Sequence, residues 1–244
     1  MTGRHGEREY AARVQGEEVP RSRVDGFLAD GPATPSRGAG RVDMRLRRVG
    51  ATSHNEPAAE RRHTAALPKD RTARAERQRR RWATQVVLID ELARRTCAER
   101  GLPAPPDVSP AAMLTVPEAD VADLGSIIAA ALAHSPAARA LLTALEAEQH
   151  IPEEAVREYY TRNRDRYLTP DALRRGADPY GASAEPADFL TYGQVRGGIG
   201  RELRRAAGRV AFFDWLDQVR QGVEYAPGHE HPGDPSHSDH EHRH

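Results

Sequence analysis

Apolar residues recur every three or four positions along two long stretches of the chain. This spacing predicts one helix over residues 72–100, which Gly101 would end, and another over residues 193–220. The apolar stripe of the first helix consists of Trp82, Val86, Ile89, Ala93 and Cys97. The apolar stripe of the second helix consists of Val195, Ile199, Leu203, Ala206, Val210, Phe213 and Leu216, and Phe212 and Trp215 widen it.

Shorter helices are predicted before and between the two long ones. Residues 117–132 share an apolar face, Pro136 restarts the helix after Ser135, and a further helix covers residues 153–163. Near the start of the chain, Gly16 permits a tight turn between two short extended pieces, ahead of a short helix.

Composition divides the chain into one helical domain and three segments that are predicted to be flexible or disordered. The helical domain takes residues 13–29 and 72–222, and its turn-rich stretch 168–192 is predicted to be a connector. The other segments are a flexible leader (1–12), a disordered low-complexity insertion (30–71) and a His-rich flexible tail (223–244). The predicted fold class is therefore all-α, with about five helices.

Charge and cysteine content narrow the possible functions. The chain of 244 residues has 36 basic and 36 acidic residues, so no overall field favours nucleic acid or a membrane surface. Cys97 is the only cysteine, which excludes an internal disulfide framework, and its apolar helical face predicts a packed thiol. The first residues lack a signal-peptide pattern and no stretch is long enough to span a membrane, so we expect a cytoplasmic protein.

Two segments carry a resemblance to a known family. They are Val14–Pro20 (VQGEEVP), followed by Arg23–Asp25, and Ile151–Tyr167 (IPEEAVREYYTRNRDRY). The segments resemble the opening turn and the later helix of the chaperone portion of the SurA and parvulin-type peptidyl-prolyl isomerase family. The stretch Phe212–Arg220 looks like the helix that closes the family's helical core.

The resemblance implies a helical shell that cradles a substrate. In the family, the isomerase domain precedes the closing helix, but this chain has only about two dozen residues there, too few for a domain. The resemblance therefore implies a SurA-N-like core without peptidyl-prolyl isomerase activity.

The tail carries a second resemblance. Glu230–Pro235 and His242–His244 are similar to the ending of small proteins of high-GC Gram-positive bacteria, found beside polyketide and spore-pigment genes. Those proteins are often labelled malonyl-CoA:acyl-carrier-protein transacylases. A transacylase of the usual kind presents its serine in a G-x-S-x-G elbow, which this sequence lacks. The nearest serines, Ser126 and Ser135, lie in a helical pattern and before a proline, where structural roles are favoured.

Six histidines stand close together among the carboxylates of the tail. Their spacings let neighbouring imidazoles meet one divalent transition metal, such as zinc, nickel or copper. Three interpretations stay open: a solvated tail with weak metal affinity, storage-type binding, and a defined metal site folded against the protein. The candidate ligands are His229, His231, His237, His240, His242 and His244.

An arginine run precedes the apolar stripe of the first long helix. Arg71, Arg74, Arg77 and residues 79–81 could contact phosphate or an acidic partner such as an acyl carrier protein, or form a solvated helix start. No helix-turn-helix pattern accompanies the run, so nucleic acid is not an expected partner.

These observations favour a noncatalytic, chaperone-like or accessory binding protein. The second resemblance implies a role in secondary-metabolite (polyketide) biosynthesis, with a protein or a hydrophobic biosynthetic intermediate as the partner. The alternative is an enzyme, either an acyl-transfer protein or a metal-dependent catalyst that uses the His-rich tail.

Overall fold

Helices make up most of the structure. The computed structural model describes residues 9–30, 68–103, 121–122 and 124–231. The predicted mainly helical character is confirmed, but a three-stranded sheet accompanies the helices, so the chain is not all-α. The two short extended pieces predicted on either side of Gly16 are the first two strands, whereas the third strand has only three residues, too few for an alternating pattern, and was missed.

The first of two compact units combines the N-terminal and C-terminal parts of the chain, Met1–Val87 and Glu224–His244. Its sheet has the strand order β2-β1-β3. This division differs from the predicted single helical domain over residues 13–29 and 72–222. The elements are β1 (Tyr10–Val14), β2 (Glu17–Pro20), α1 (Arg21–Asp30), the first part of α2 (Pro68–Glu99) and β3 (Val223–Tyr225).

The hairpin between β1 and β2 turns through Gln15 and Gly16, whose φ angles are 52° and 84°. Two central residues with positive φ are typical of a type I′ turn, which matches the twist of the flanking strands. The turn predicted at Gly16 is therefore confirmed. Residues 10–12 are buried in β1, so the flexible leader predicted for residues 1–12 does not include them.

The C-terminal part of the first unit is a strand followed by a turn. The amide of Ala226 donates to the carbonyl of Ala11 (3.0 Å), and the amide of His229 donates to the carbonyl of Ala226 (3.0 Å). Ala226 and His229 are 2% and 4% exposed. Because Ala226 and His229 are buried and their amides are hydrogen-bonded to the backbone, the described residues 223–231 do not belong to the predicted flexible tail. The rest of that tail lies outside the described residues.

The second unit, Leu88–Val223, is helical. Helix α4 packs against α3 and α7, and α5 also packs against α7. The helices predicted over residues 72–100, 153–163 and 193–220 correspond to α2, α5 and α7. After the end of α2, the helices are α3 (Ser126–His134), α4 (Pro136–Glu148), α5 (Glu153–Arg162), α6 (Pro170–Arg175) and α7 (Tyr192–Arg220).

Two helix boundaries follow local signals. Gly101 has a φ of 62°, and the amide of Leu102 donates to the carbonyl of Cys97 (2.9 Å), which is a Schellman ending of α2. Ser135 is fully buried and caps α4, where its Oγ accepts a hydrogen bond from the amide of Ala138 (2.9 Å). The predicted stop at Gly101 and the predicted restart after Ser135 are confirmed.

Helix α7 buries only part of the predicted apolar stripe. Ile199, Gly208, Phe212 and Leu216 are buried, whereas Val210 is 59% exposed, so the prediction that Val210 faces the core is wrong. A Cβ on residue 208 would lie 2.8 Å from the Cα of Glu146 in α4. The close approach of α4 at Gly208 therefore sets which face of α7 is buried.

Residues 168–190 form a small packed segment rather than an open connector. Leu168 and Phe189 form an isolated β-bridge, and with Ala172 of α6 they make a buried apolar cluster. Arg175 donates to the carboxylate of Asp188 (2.5 Å). Contacts between residues far apart in the sequence leave no periodic pattern, which explains why this stretch was predicted to be a connector.

No single helix among the described residues combines the length and the apolar content needed to cross a membrane. Helices α3 and α4 reach that apolar length only together, and they are bent by 105° at the break between them. Their apolar residues Ile128, Ala131, Ala138 and Leu141 are buried.

Candidate binding site

Helix α7 presents a groove lined by arginine. The groove has a volume of about 470 Å³ and is lined by Gly198, Arg201, Glu202, Arg205 and Arg209. The three arginines are four residues apart, so they lie on one face of the helix on successive turns. Within the described part of the chain, Arg201 and Arg205 make no hydrogen bond or ion pair. Their guanidinium groups are therefore available to a partner.

Glu202 joins the groove to the preceding part of the unit. Arg166 donates to both carboxylate oxygens of Glu202, from Nη1 to Oε1 at 2.7 Å and from Nη2 to Oε2 at 3.3 Å. The hydroxyl of Tyr159 donates to Oε1 at 2.8 Å. Because Arg166 neutralises Glu202, the carboxylate does not cancel the positive charge of the groove.

The pKa shifts of Glu202, Arg166 and Tyr159 agree with these hydrogen bonds. The hydrogen bond from Arg166, followed by that from Tyr159, lowers the pKa of Glu202. The hydrogen bond to Glu202 raises the pKa of Arg166, and burial followed by the hydrogen bond to Glu202 raises the pKa of Tyr159. Near pH 7, Glu202 is therefore ionised and Tyr159 is neutral, which keeps the network fixed beside the groove.

The candidate nucleophiles of the sequence have structural contacts. Ser135 caps α4, and Ser126 is the first residue of α3. The thiol of Cys97 is buried and donates to the carbonyl of Ala137 (3.5 Å), and burial raises the pKa of the thiol. A raised pKa disfavours the reactive thiolate. The packed thiol predicted for Cys97 is confirmed.

We expect Ser135→Ala to lower the free energy of unfolding by about 1 kcal/mol, because it removes the acceptor for the Ala138 amide. Chemical denaturation followed by Trp215 fluorescence measures this change. Thr169→Ala is measured beside it as a second loss of a helix cap, because the Oγ1 of Thr169 caps the short helix α6 (3.2 Å from the amide of Ala172). An unchanged stability for Ser135→Ala would contradict the capping role.

The structure describes two of the six predicted metal ligands, His229 and His231. His229 is buried in the first unit, and its Nδ1 lies 2.8 Å from the Oγ1 of Thr84. Burial, followed by the charges of Arg80 and Arg21, lowers the pKa of His229 to about 4. His231 is the last described residue, and the described residues contain no group of three or more His, Cys, Asp or Glu that could hold a metal. His237, His240, His242 and His244 lie outside the described residues, so the metal site stays a prediction.

The arginine run of α2 is not simply a solvated helix start. Arg79 donates to the carbonyl of Leu28 in α1 (3.1 Å). Arg81 is 5% exposed, and its Nε lies 3.4 Å from the Oε2 of Glu230. The end of the run therefore packs inside the first unit, while the side chain of Arg71 lies outside the described residues.

Comparison of the chain with protein-family models, with curated proteins and with solved structures found no match. The groove therefore has to be interpreted from its own residues. Sequence reasoning missed Arg201, Arg205 and Arg209, although an arginine at every fourth position of a helix is a visible signal. The bond between Tyr159 and Glu202 joins residues 43 positions apart and has no local signal.

Proposed function

We propose that this protein is a noncatalytic, chaperone-like accessory factor that binds an acidic segment of a partner protein on α7. The observation that carries the proposal is the row of Arg201, Arg205 and Arg209 on one face of the helix, along the groove. Guanidinium groups form charge-assisted, bidentate hydrogen bonds with carboxylates, which supply both affinity and orientation.

The composition of α7 supports a role for an external partner. Like charges four residues apart destabilise a helix by about 0.2–0.5 kcal/mol per pair, and the arginine row contains two such pairs. The start of the helix also contains Gly193, Gly198 and Gly200, where a Cβ would meet nothing within 4 Å. Glycine is unfavourable inside a helix, and where packing does not require it, it leaves the backbone open to close approach by another chain.

The positive charge and the length of the arginine row favour an acidic helix as the partner that occupies the groove. Arg201 and Arg209 are separated by about 12 Å along the helix axis, which matches carboxylates on three successive turns of a partner helix. The chain as a whole carries no net charge, so a long-range attraction to nucleic acid is not expected. An acyl carrier protein is the partner that we favour within secondary-metabolite biosynthesis.

The wider role that we propose is that of a cytoplasmic, SurA-like helical shell without an isomerase domain. The order of α2, α5 and α7 supports this proposal, because the resemblance expects helices at these positions. The structural contacts of Ser135 and Cys97 support a noncatalytic role. In such a shell, a hydrophobic biosynthetic intermediate carried by the acidic partner would be the cargo.

The test compares two triple variants with the same change in net charge. R201Q/R205Q/R209Q removes the guanidinium groups of the groove, and R157Q/R162Q/R174Q removes three exposed arginines of α5 and α6. The probe is a fluorescein-labelled helical peptide with glutamate at every fourth position, and fluorescence anisotropy gives the Kd. We expect the groove variant to weaken binding about tenfold or more, since each lost charge contact contributes up to about 1 kcal/mol.

The control variant should bind the peptide with a Kd within about threefold of the wild-type value, because its arginines lie outside the groove. If both variants lost affinity for the peptide equally, only the overall charge would matter, and the proposal would be overturned. So would a wild-type protein that does not bind the peptide. Single-stranded DNA that binds the groove more tightly than the peptide does would replace the acidic protein partner by nucleic acid.

A further inference from the structure

One position in the groove on α7 carries no side chain. Gly198 lines the groove one turn before Arg201 and Glu202 and two turns before Arg205. Four helix residues with this spacing form the corners of the hole that receives one side chain of a facing helix in knobs-into-holes packing. The groove therefore contains such a hole, and glycine occupies one of its corners.

The fold of α7 does not require glycine at this corner. Gly198 is helical and exposed, and it is not among the residues with positive φ. A Cβ on residue 198 would meet nothing within 4 Å, in contrast to the close approach of α4 at Gly208. Glycine is less favourable than alanine inside a helix, so α7 is less stable for having it here. What the glycine provides is open space above the backbone within the groove.

Two side chains flank this open space. Arg201 and Glu202 follow Gly198 by three and four positions, so they lie on opposite sides of it around the helix. The Nη1 of Arg201 is 3.6 Å from where a Cβ on residue 197 would lie, so the side chain extends back to the level of Gly198. Glu202 is held in place by the hydrogen-bond network beside the groove. Long charged side chains have aliphatic stems, which makes the walls of the hole partly apolar.

We propose that the acidic partner helix inserts one large aliphatic side chain, of the leucine or methionine type, into the hole above Gly198. This inference rests on the proposed function, because it adds an anchor to the helix that the arginines orient. If only carboxylates met Arg201 and Arg205, the space above Gly198 would stay empty, whereas packed interfaces leave few voids. Leucine is a common knob in helix–helix packing and suits aliphatic walls. The partner is therefore an amphipathic acidic helix rather than a uniformly polar one.

The experiment adds one position to the fluorescein-labelled glutamate peptide, four residues beyond the terminal glutamate. This position carries leucine or alanine, and it is placed at either end in separate peptides, because the partner helix can run in either direction along α7. Fluorescence anisotropy with the full chain gives each Kd. In at least one placement, we expect the leucine peptide to bind about tenfold more tightly than the alanine peptide. Alanine is the better helix former, so a more helical peptide cannot cause this gain.

Gly198→Leu fills the hole from the side of α7. Gly193→Leu is the matched control, because Gly193 is another exposed glycine of α7 with open space around it, outside the set of residues that line the groove. We expect Gly198→Leu to reduce the preference for the leucine peptide to less than about twofold, and to keep the Kd of the alanine peptide within about threefold of the wild-type value. Gly193→Leu should keep the full preference. Gly198→Gln fills the same space and serves if Gly198→Leu does not fold, which circular dichroism shows.

The arginine variant R201Q/R205Q/R209Q separates the failure of this inference from that of the proposed function. The inference alone is overturned if this variant weakens the binding of both peptides but the wild-type protein has no preference for leucine in either placement. It is also overturned if filling position 198 keeps the preference, or if Gly193→Leu loses it. If neither peptide binds the wild-type protein, or if the arginine variant binds both as tightly, the proposed function is wrong and the inference falls with it.

Discussion

Gly208→Ala is expected to destabilise the second unit by about 1–3 kcal/mol, although alanine is the better helix former. The new Cβ would lie 2.8 Å from the Cα of Glu146 and would overlap the Glu146 side chain. A backbone atom cannot move away unless α4 moves as a whole. The two helices would therefore separate and lose part of the packing along α7.

Gly200→Ala is the matched control for this prediction. It makes the same chemical change in the same helix, but a Cβ there meets nothing within 4 Å, so we expect a stabilisation of up to about 1 kcal/mol. Urea unfolding followed by Trp215 fluorescence, in a Trp82→Phe background, measures both variants. If the two changes had the same sign, the close contact of α4 and α7 at Gly208 would be disproved.

Acidification from pH 6.5 to 4 is expected to remove about 3 kcal/mol of stability from the first unit through His229 alone. The pKa of this histidine is 6.5 without the fold and about 4 within it, and each pKa unit corresponds to about 1.4 kcal/mol. Between these values the unfolded chain binds the proton and the folded chain does not. Stability is therefore complete above about pH 6.5 and falls as the pH decreases towards 4.

His229→Asn isolates this effect, because an amide can still contact Thr84 but does not titrate. Urea unfolding at a series of pH values, followed by Trp82 fluorescence in a Trp215→Phe background, gives the free energy for both proteins. The carboxylates titrate in both, so the difference between the two curves belongs to His229. We expect that difference to grow by about 3 kcal/mol across this range, and parallel curves would rule out a buried neutral imidazole.

Most helices could be predicted because their signals are local. The apolar spacing of α2 and α7, the glycine after α2 and the Ser135-Pro136 pair before α4 are all contained in a few neighbouring residues. Strand β3 could not be predicted, because three residues carry no pattern and the pairing partner lies at the other end of the chain. Val210 was misplaced because its exposure depends on the contact between Gly208 and Glu146.

The candidate sites were predicted less well than the fold. Composition grouped His229 with the other tail histidines, and nothing in the neighbouring residues distinguishes it from His231. The distinction comes from Thr84, which lies 145 positions earlier in the chain. The arginine run of α2 was recognised, but the sequence could not show that Arg81 is buried beside Glu230.

The pairing of β1 with the C-terminal segment fixes an order of events during protein synthesis. Ala11 cannot accept its hydrogen bond from Ala226 until about 215 further residues have been added, which takes about 10–40 s on a ribosome. The whole second unit is made in that interval. One edge of β1 stays unpaired for as long, and an open strand edge can pair with another chain. The part of the protein that is made first is therefore the part that is completed last.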